Sequence, residues 1–176
     1  MLHNATKTLD FKVLEIEIDD ELSYRLLCQL LQQFSCIEEV FIDWKINSAE
    51  ESKKFLMSLP SMVNYSKITI CSETTFLDDE LFLNLLNKSS GEIFIDCRQN
   101  TITENGLDPA FQMVYSGKQK GKIVVCSPST HELSSYCEEL KNSHIDFKMN
   151  QSKEFTHIKS GAIFSYKDWD RISFIP

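Results

Sequence analysis

Glycine and proline are both scarce, five and four residues in a chain of 176, which excludes collagen-like, low-complexity and linker-rich classes. Positive charge is also short. The formal net charge is −8, and no segment gathers Lys and Arg into a stripe, so a nucleic acid or an anionic membrane is not the expected partner. No apolar run approaches the ~18 residues of a membrane-spanning helix. Residues 1–10 hold no hydrophobic stretch of signal-peptide length, so the expected setting is intracellular, cytoplasmic or nuclear. The six cysteines are widely spaced and include no Cys-x-x-Cys pair. In such a setting they read as reduced thiols that pack as small hydrophobes.

What is present is apolar mass. Hydrophobic residues make up 42%, with 12 Phe among them, enough to bury one core, and the length suits a single domain over 1–176. The acids are spread in short groups rather than blocks, as on solvated helix starts and loop faces. A repeat organises the chain. Four β-type runs align: Glu39 to Trp44, Lys67 to Ser72, Glu92 to Cys97 and Lys122 to Ser127. Taking Asp43, Cys71, Asp96 and Cys126 as equivalent, the steps are 28, 25 and 30 residues, the length of a strand–helix unit.

Helical patterns fill the gaps. Ser48 to Leu59 opens on a capping box, Ser48 with Glu51, and stops at Pro60. Leu77 to Asn87 has Leu81, Phe82, Leu85 and Leu86 at helical spacing, with Asp78 or Asp79 as cap. Thr103 to Tyr115 is interrupted by Gly106 and Pro109, with Pro109 suited to the first turn of a shorter helix. Ser129 to Asn142 repeats the Ser-x-x-Glu start. Ahead of the repeats, Phe11 to Ile18 alternates as a strand and Glu21 to Phe34 reads as an amphipathic helix. The organisation is thus a strand–helix cap over 1–38, repeats over 39–150 and a hairpin cap over 151–176. In that last part His144 to Met149 suggests a sixth strand. Gly161 to Lys167 and Arg171 to Ile175 flank Asp168-Trp169-Asp170 as an antiparallel hairpin.

Alternating strand–helix units imply an α/β fold with mainly parallel strands and right-handed crossovers. Two architectures fit: a leucine-rich-repeat-like arc, and an open doubly wound sheet with helices on both faces. The strand register separates them. Val40, Ile42 and Trp44 share one face with Ile68, Ile70, Ile93, Ile95, Ile123 and Val125. The other face carries Phe41, Asp43, Thr69, Cys71, Phe94, Asp96, Val124 and Cys126. Repeated acids under a layer of helices are costly, so an arc with this second face open to solvent is the preferred expectation.

The repeats and the tail, Gly161 to Asp168 and Ile172 to Ile175, resemble the F-box-associated domains expanded in nematodes, which are degenerate leucine-rich-repeat-like domains with short x-Ile-x-Ile strands. The resemblance runs from about Val40 to Ile175. It implies a partner-recognition domain of substrate-recognition or adaptor type. Family members carry an F-box ahead of the repeats, and Met1 to Glu38 does not show that helical, proline-containing motif.

Enzyme signatures fail in turn. His131-Glu132 starts like a zinc-protease helix, but the second His would stand at position 135, which is Ser135. Cys137 lies six residues after His131, nearly opposite on a helix, so no local base activates its thiol. Cys71 and Cys126 occupy equivalent strand positions without a nearby His, which does not define a zinc site. Gly-x-Ser-x-Gly is missing, and Gly117 to Lys122 precedes a strand and lacks the Ser or Thr of a phosphate loop; its lysines, 118, 120 and 122, read as a solvated turn. His3, His144 and His157 are scattered and read as surface or packing residues. No cofactor or metal is expected. Trp44 is in core register, whereas Trp169, between two aspartates, is either covered or presented to a partner.

The leading expectation is therefore a non-enzymatic protein-binding module, its site formed by Phe41, Asp43, Thr69, Cys71, Phe94, Asp96, Val124 and Cys126, which suits a basic or aromatic-bearing segment. The alternative is a small hydrolase or transferase with its site at the carboxyl ends of the strands, near Asp43, Ser72, Asp96 and Ser127.

Overall fold

The computed structural model describes residues 9–20, 26, 27, 29–31, 34–59, 65–126, 136, 138, 147–149, 154–157, 163–167 and 171–176. Among these residues nine strands form one mixed sheet: β1 (Leu9–Ile18), β2 (Phe34–Trp44), β3 (Tyr65–Leu77), β4 (Ser89–Asn100), β5 (Ile123–Cys126), β6 (Phe147–Met149), β7 (Glu154–His157), β8 (Ile163–Lys167) and β9 (Arg171–Ile175). Three helices are described over their full length, α1 (Ala49–Ser58), α2 (Asp79–Lys88) and α3 (Glu104–Tyr115).

The sheet order is β1-β2-β3-β4-β5-β9-β8-β7-β6. Strands β1 to β5 are parallel neighbours in chain order. Right-handed crossovers that all step the same way carry their helices to the same side. The apolar faces of α1, α2 and α3 accordingly join a single core with the strand residues Val40, Ile42, Ile68, Ile70, Ile93 and Ile95. An order without reversal does not match the doubly wound alternative, which needs helices on both faces. From β5 onward the pairing is antiparallel, β5 to β9, β9 to β8, β8 to β7 and β7 to β6. The expected hairpin is β8 and β9, and the expected sixth strand is present as Phe147–Met149.

The helix starts follow their sequence signals. Ser48 caps α1 by accepting from the Glu51 N–H at 3.3 Å, and Asp78 caps α2 by accepting from the Leu81 N–H at 2.9 Å. α3 differs from expectation, because Pro109 lies inside it rather than in its first turn. The carbonyl left without that N–H belongs to Asn105, and both residues are exposed, so water rather than the core meets the gap. The helix expected over Ser129 to Asn142 lies almost wholly outside the described residues, as does most of the one expected over Glu21 to Phe34. Trp169 lies outside them too.

Trp44 is buried, its ring 5.5 Å from that of Phe55 and its Nε1 donating to the Ile46 carbonyl. Phe111 of α3 meets Phe164 and Phe174 edge-on, each at 5.0 Å, which ties the helix layer to the antiparallel strands. Beyond the helix, Gly117 takes φ 71° and turns the chain back. The next turn is not wholly solvated. Lys118 and Lys120 are exposed, but Gln119 between them is fully buried and its Nε2 donates to the carbonyls of Gly91 and Gly121. No helix among the described residues is long and apolar enough to cross a membrane.

Candidate functional site: the uncovered strand face

Side chains alternate along a strand, so each residue that turns away from the core points to the opposite face. The register places these residues in rows that cross the strands. One row is Glu17, Asp43, Cys71, Asp96 and Cys126; the adjacent row is Glu15, Phe41, Thr69, Phe94 and Val124. All eight residues expected to form the site thus stand side by side on one face, in the alignment that the 28-, 25- and 30-residue steps anticipate. A third row, Glu39, Lys67 and Glu92, bounds them with mixed charge.

Exposure along these rows is uneven. Phe41 is 39% exposed, Asp96 is exposed, and Asp43, Thr69, Cys71, Phe94 and Cys126 are half-buried. Val124 departs from the expectation of an open position, being only 3% exposed. It is a short side chain between Phe94 and Ser173 in the register, and Ser173 and Ser165 are buried with their hydroxyls 2.7 Å apart. The open area is therefore the part carried by β1 to β4, and it closes toward the antiparallel strands.

Electrostatics sharpen its character. Lys45 donates to the Glu17 carboxylate and stands 3.6 Å from Asp43. These partners, Glu17 foremost, push its pKa up. The Cys71 thiol is pushed up by burial first, then by the charges of Asp96 and Asp43. A thiol held protonated between two carboxylates is a poor nucleophile. Among the described residues no three His, Cys, Asp or Glu side chains gather as a metal-binding set. Cys71 carries a free thiol.

At the carboxyl ends of β2 to β4 the face dips into a hollow of about 440 Å3, lined by Asp43, Cys71, Ser72, Asp96 and Arg98 among others. Ser127, also expected there in an enzyme, lies outside the described residues. Ser72 is buried and turned inward, its oxygen accepting from the Thr75 hydroxyl at 2.6 Å and the Thr75 N–H at 3.1 Å. Thr75 in turn meets Ser52 of α1. A larger hollow, about 610 Å3, lies on the helical side between α1 and the start of α2. Its wall includes Met57 and Phe76, the latter 41% exposed, and Lys53 bridges Asp78 at 2.6 Å and Glu80 at 2.7 Å across it. Phe76 was not among the residues expected from sequence, because it lies beyond the repeating core of its strand.

No protein-family model matches the chain, and neither a curated protein nor a solved structure does.

Proposed function

We propose that this protein is a protein-binding module that takes its partner on the uncovered face of β1 to β4. The observation that carries the reading is Phe41. It stands on β2, an interior strand between β1 and β3, 39% exposed, with Glu15 beside it in the register and Asp43 two residues on. An aromatic set among acids on a sheet face supplies apolar contact area and charge selectivity together. Phe94 repeats the arrangement two strands away, next to Asp96.

The unreversed order of β1 to β5 supports the finer architecture, a leucine-rich-repeat-like arc. The resemblance to F-box-associated domains points the same way, toward a substrate-recognition or adaptor role inside the cell. The partner segment is basic or aromatic-bearing. A second reading, a small hydrolase or transferase, has the hollow at the carboxyl ends of β2 to β4 in its favour. The inward hydroxyl of Ser72 and the protonated thiol of Cys71 supply no nucleophile there, which favours binding.

The test is partner capture from cells of the source organism, read by mass spectrometry, with Phe94→Ala and Asp96→Lys as variants. Both variants are expected to lose the captured partner while keeping the thermal midpoint of the parent. Loss of stability in step with loss of capture would mean that the face is packed in the folded protein, and the reading would fail.

A further inference from the structure

Resting on that reading, we propose that the segment recognised is a polyproline-type stretch with Arg or Lys at every third position, lying across the strands rather than along them. The spacing of the face carries the inference. Asp43 and Asp96 sit in one row on β2 and β4, with the smaller Cys71 between them. Phe41 and Phe94 sit in the adjacent row with the smaller Thr69 between them. Neighbouring strands are ~4.8 Å apart, so both the acids and the rings recur at ~9.6 Å. A polyproline helix rises ~3.1 Å per residue with three residues per turn, so every third side chain returns to one side after ~9.3 Å. The two periods agree closely over the width of this face.

Other conformations fit less well. An extended strand brings alternate residues to one side at ~6.7 Å. An α-helix brings them at ~4.5–6 Å and again at ~10.5 Å. The chemistry of the rows also suits the segment. Proline rings pack on aromatic ridges, here Phe41 and Phe94. A guanidinium reaches a carboxylate with paired donors and stacks on a neighbouring ring. Charge also frames the strip. Arg98, two residues beyond Asp96 on the same strand, borders the acidic row along the strand direction. At the β1 end of the row, Lys45 already occupies Glu17 and approaches Asp43. Lys45 is half-exposed, and exposed ion pairs of this kind are weak. It acts as a built-in competitor for the incoming cation.

The experiment titrates the full chain with two blocked peptides of equal composition, followed by backbone amide shifts. One is Arg-Pro-Pro-Arg-Pro-Pro-Arg. The other is Pro-Pro-Arg-Arg-Arg-Pro-Pro. The first is expected to bind about tenfold more tightly, with shifts centred on β2 and β4. Asp43→Asn and Asp96→Asn should each weaken it severalfold, and Lys45→Ala should tighten it. Equal affinity for both peptides would overturn the spacing, as would tighter binding of an alanine-rich helical peptide carrying the same three arginines. No binding of either peptide, with partner capture still lost in Phe94→Ala, would overturn the polyproline inference and leave the recognition face standing. Shifts centred on the Met57 and Phe76 hollow would overturn both.

Discussion

The carboxylate of Asp79, at the start of α2, accepts from both the backbone N–H and the hydroxyl of Thr103, at 2.7 and 2.6 Å. Thr103 is the residue that caps α3, its own oxygen accepting from the Asn105 N–H. One helix start is thereby fastened to the next. The same carboxylate crowds Gly106, where an added Cβ would come within 2.4 Å of Oδ1.

Asp79→Ala should destabilise the protein by about 1–3 kcal/mol, because the Thr103 donors lose their charged acceptor. Gly106→Ala should also destabilise the parent. In the Asp79→Ala background the carboxylate is gone and Ile102 Cγ2, at 3.2 Å, is the close contact left, so the helix propensity of Ala, worth up to ~1 kcal/mol over Gly, should offset part of the change. Urea denaturation of the four proteins measures this coupling, and additive effects would contradict it.

Lys88 is buried at the end of α2, where its Nζ donates to the carbonyls of Leu56 and Met57, at 3.1 and 2.6 Å. Burial pushes its pKa down from 10.5 to about 8. A depressed lysine is a cost to folding while both states are protonated. Between pH 8 and 10.5 the folded state gives up its proton first, so this group makes stability rise with pH. The full effect is on the order of 3 kcal/mol. The stability of the parent minus that of Lys88→Met, followed from pH 7 to 10.5, should therefore increase. A flat difference would mean that Lys88 titrates alike in both states.

Two glycines near α3 should respond differently to alanine. At Gly121 an added Cβ would lie 2.2 Å from the Gly91 carbonyl carbon, backbone against backbone. Gly121→Ala should cost more than ~2 kcal/mol, because the close approach of β4 and the start of β5 must give way. At Gly117 nothing lies within 4 Å and the constraint is the positive φ alone. Gly117→Ala should cost about 1 kcal/mol. Thermal unfolding ranks the two, and a reversed order would be inconsistent with the backbone contact.

Cys71 should become more reactive when its neighbours lose charge. Burial first, then the charges of Asp96 and Asp43, push the Cys71 thiol up, so Asp96→Asn should raise the thiolate fraction near pH 8. Alkylation of Cys71, read by peptide mass spectrometry, should accelerate severalfold. Burial still raises the pKa in the variant, so the rate should stay below that of a free thiol.

Much of the parallel half was legible because the cores of its strands carry β-branched residues at the inward positions, Val40 and Ile42, Ile68 and Ile70, Ile93 and Ile95, and Ile123 and Val125. The pairing of Asp43, Cys71, Asp96 and Cys126 follows from aligning those cores, and the two-faced burial follows from period two. The strands themselves run longer than the cores, since segments such as Phe34 to Glu38 alternate no more clearly than a loop. β7, four residues with Glu154 and His157 at its ends, has no such signal; His157 is instead a packing residue stacked 3.7 Å from Tyr115. Asp79 and Thr103 are 24 residues apart and Asp79 already reads as a cap candidate for its own helix, so their bond leaves no local trace. Lys88 and Gln119 look like solvent-facing residues. Their burial depends on carbonyls of other elements, Leu56 and Met57 at the end of α1 for Lys88 and Gly91 at the start of β4 for Gln119. Within the site, Val124 fits the period and yet is covered, because exposure depends on neighbours as well as on phase.

The position of β9 has a consequence for how the chain assembles. It is the last of the described strands in chain order, yet it lies in the interior of the sheet, between β5 and β8. During synthesis, which proceeds from the amino end, β1 to β5 become available early and leave β5 as a bare edge. The antiparallel strands β6 to β8 emerge next with no seam to join them to it. Only when residues 171–175 arrive do the two halves become one sheet. Until then the nascent protein presents an unpaired apolar edge, Ile123 to Cys126, of the kind that invites pairing with another chain.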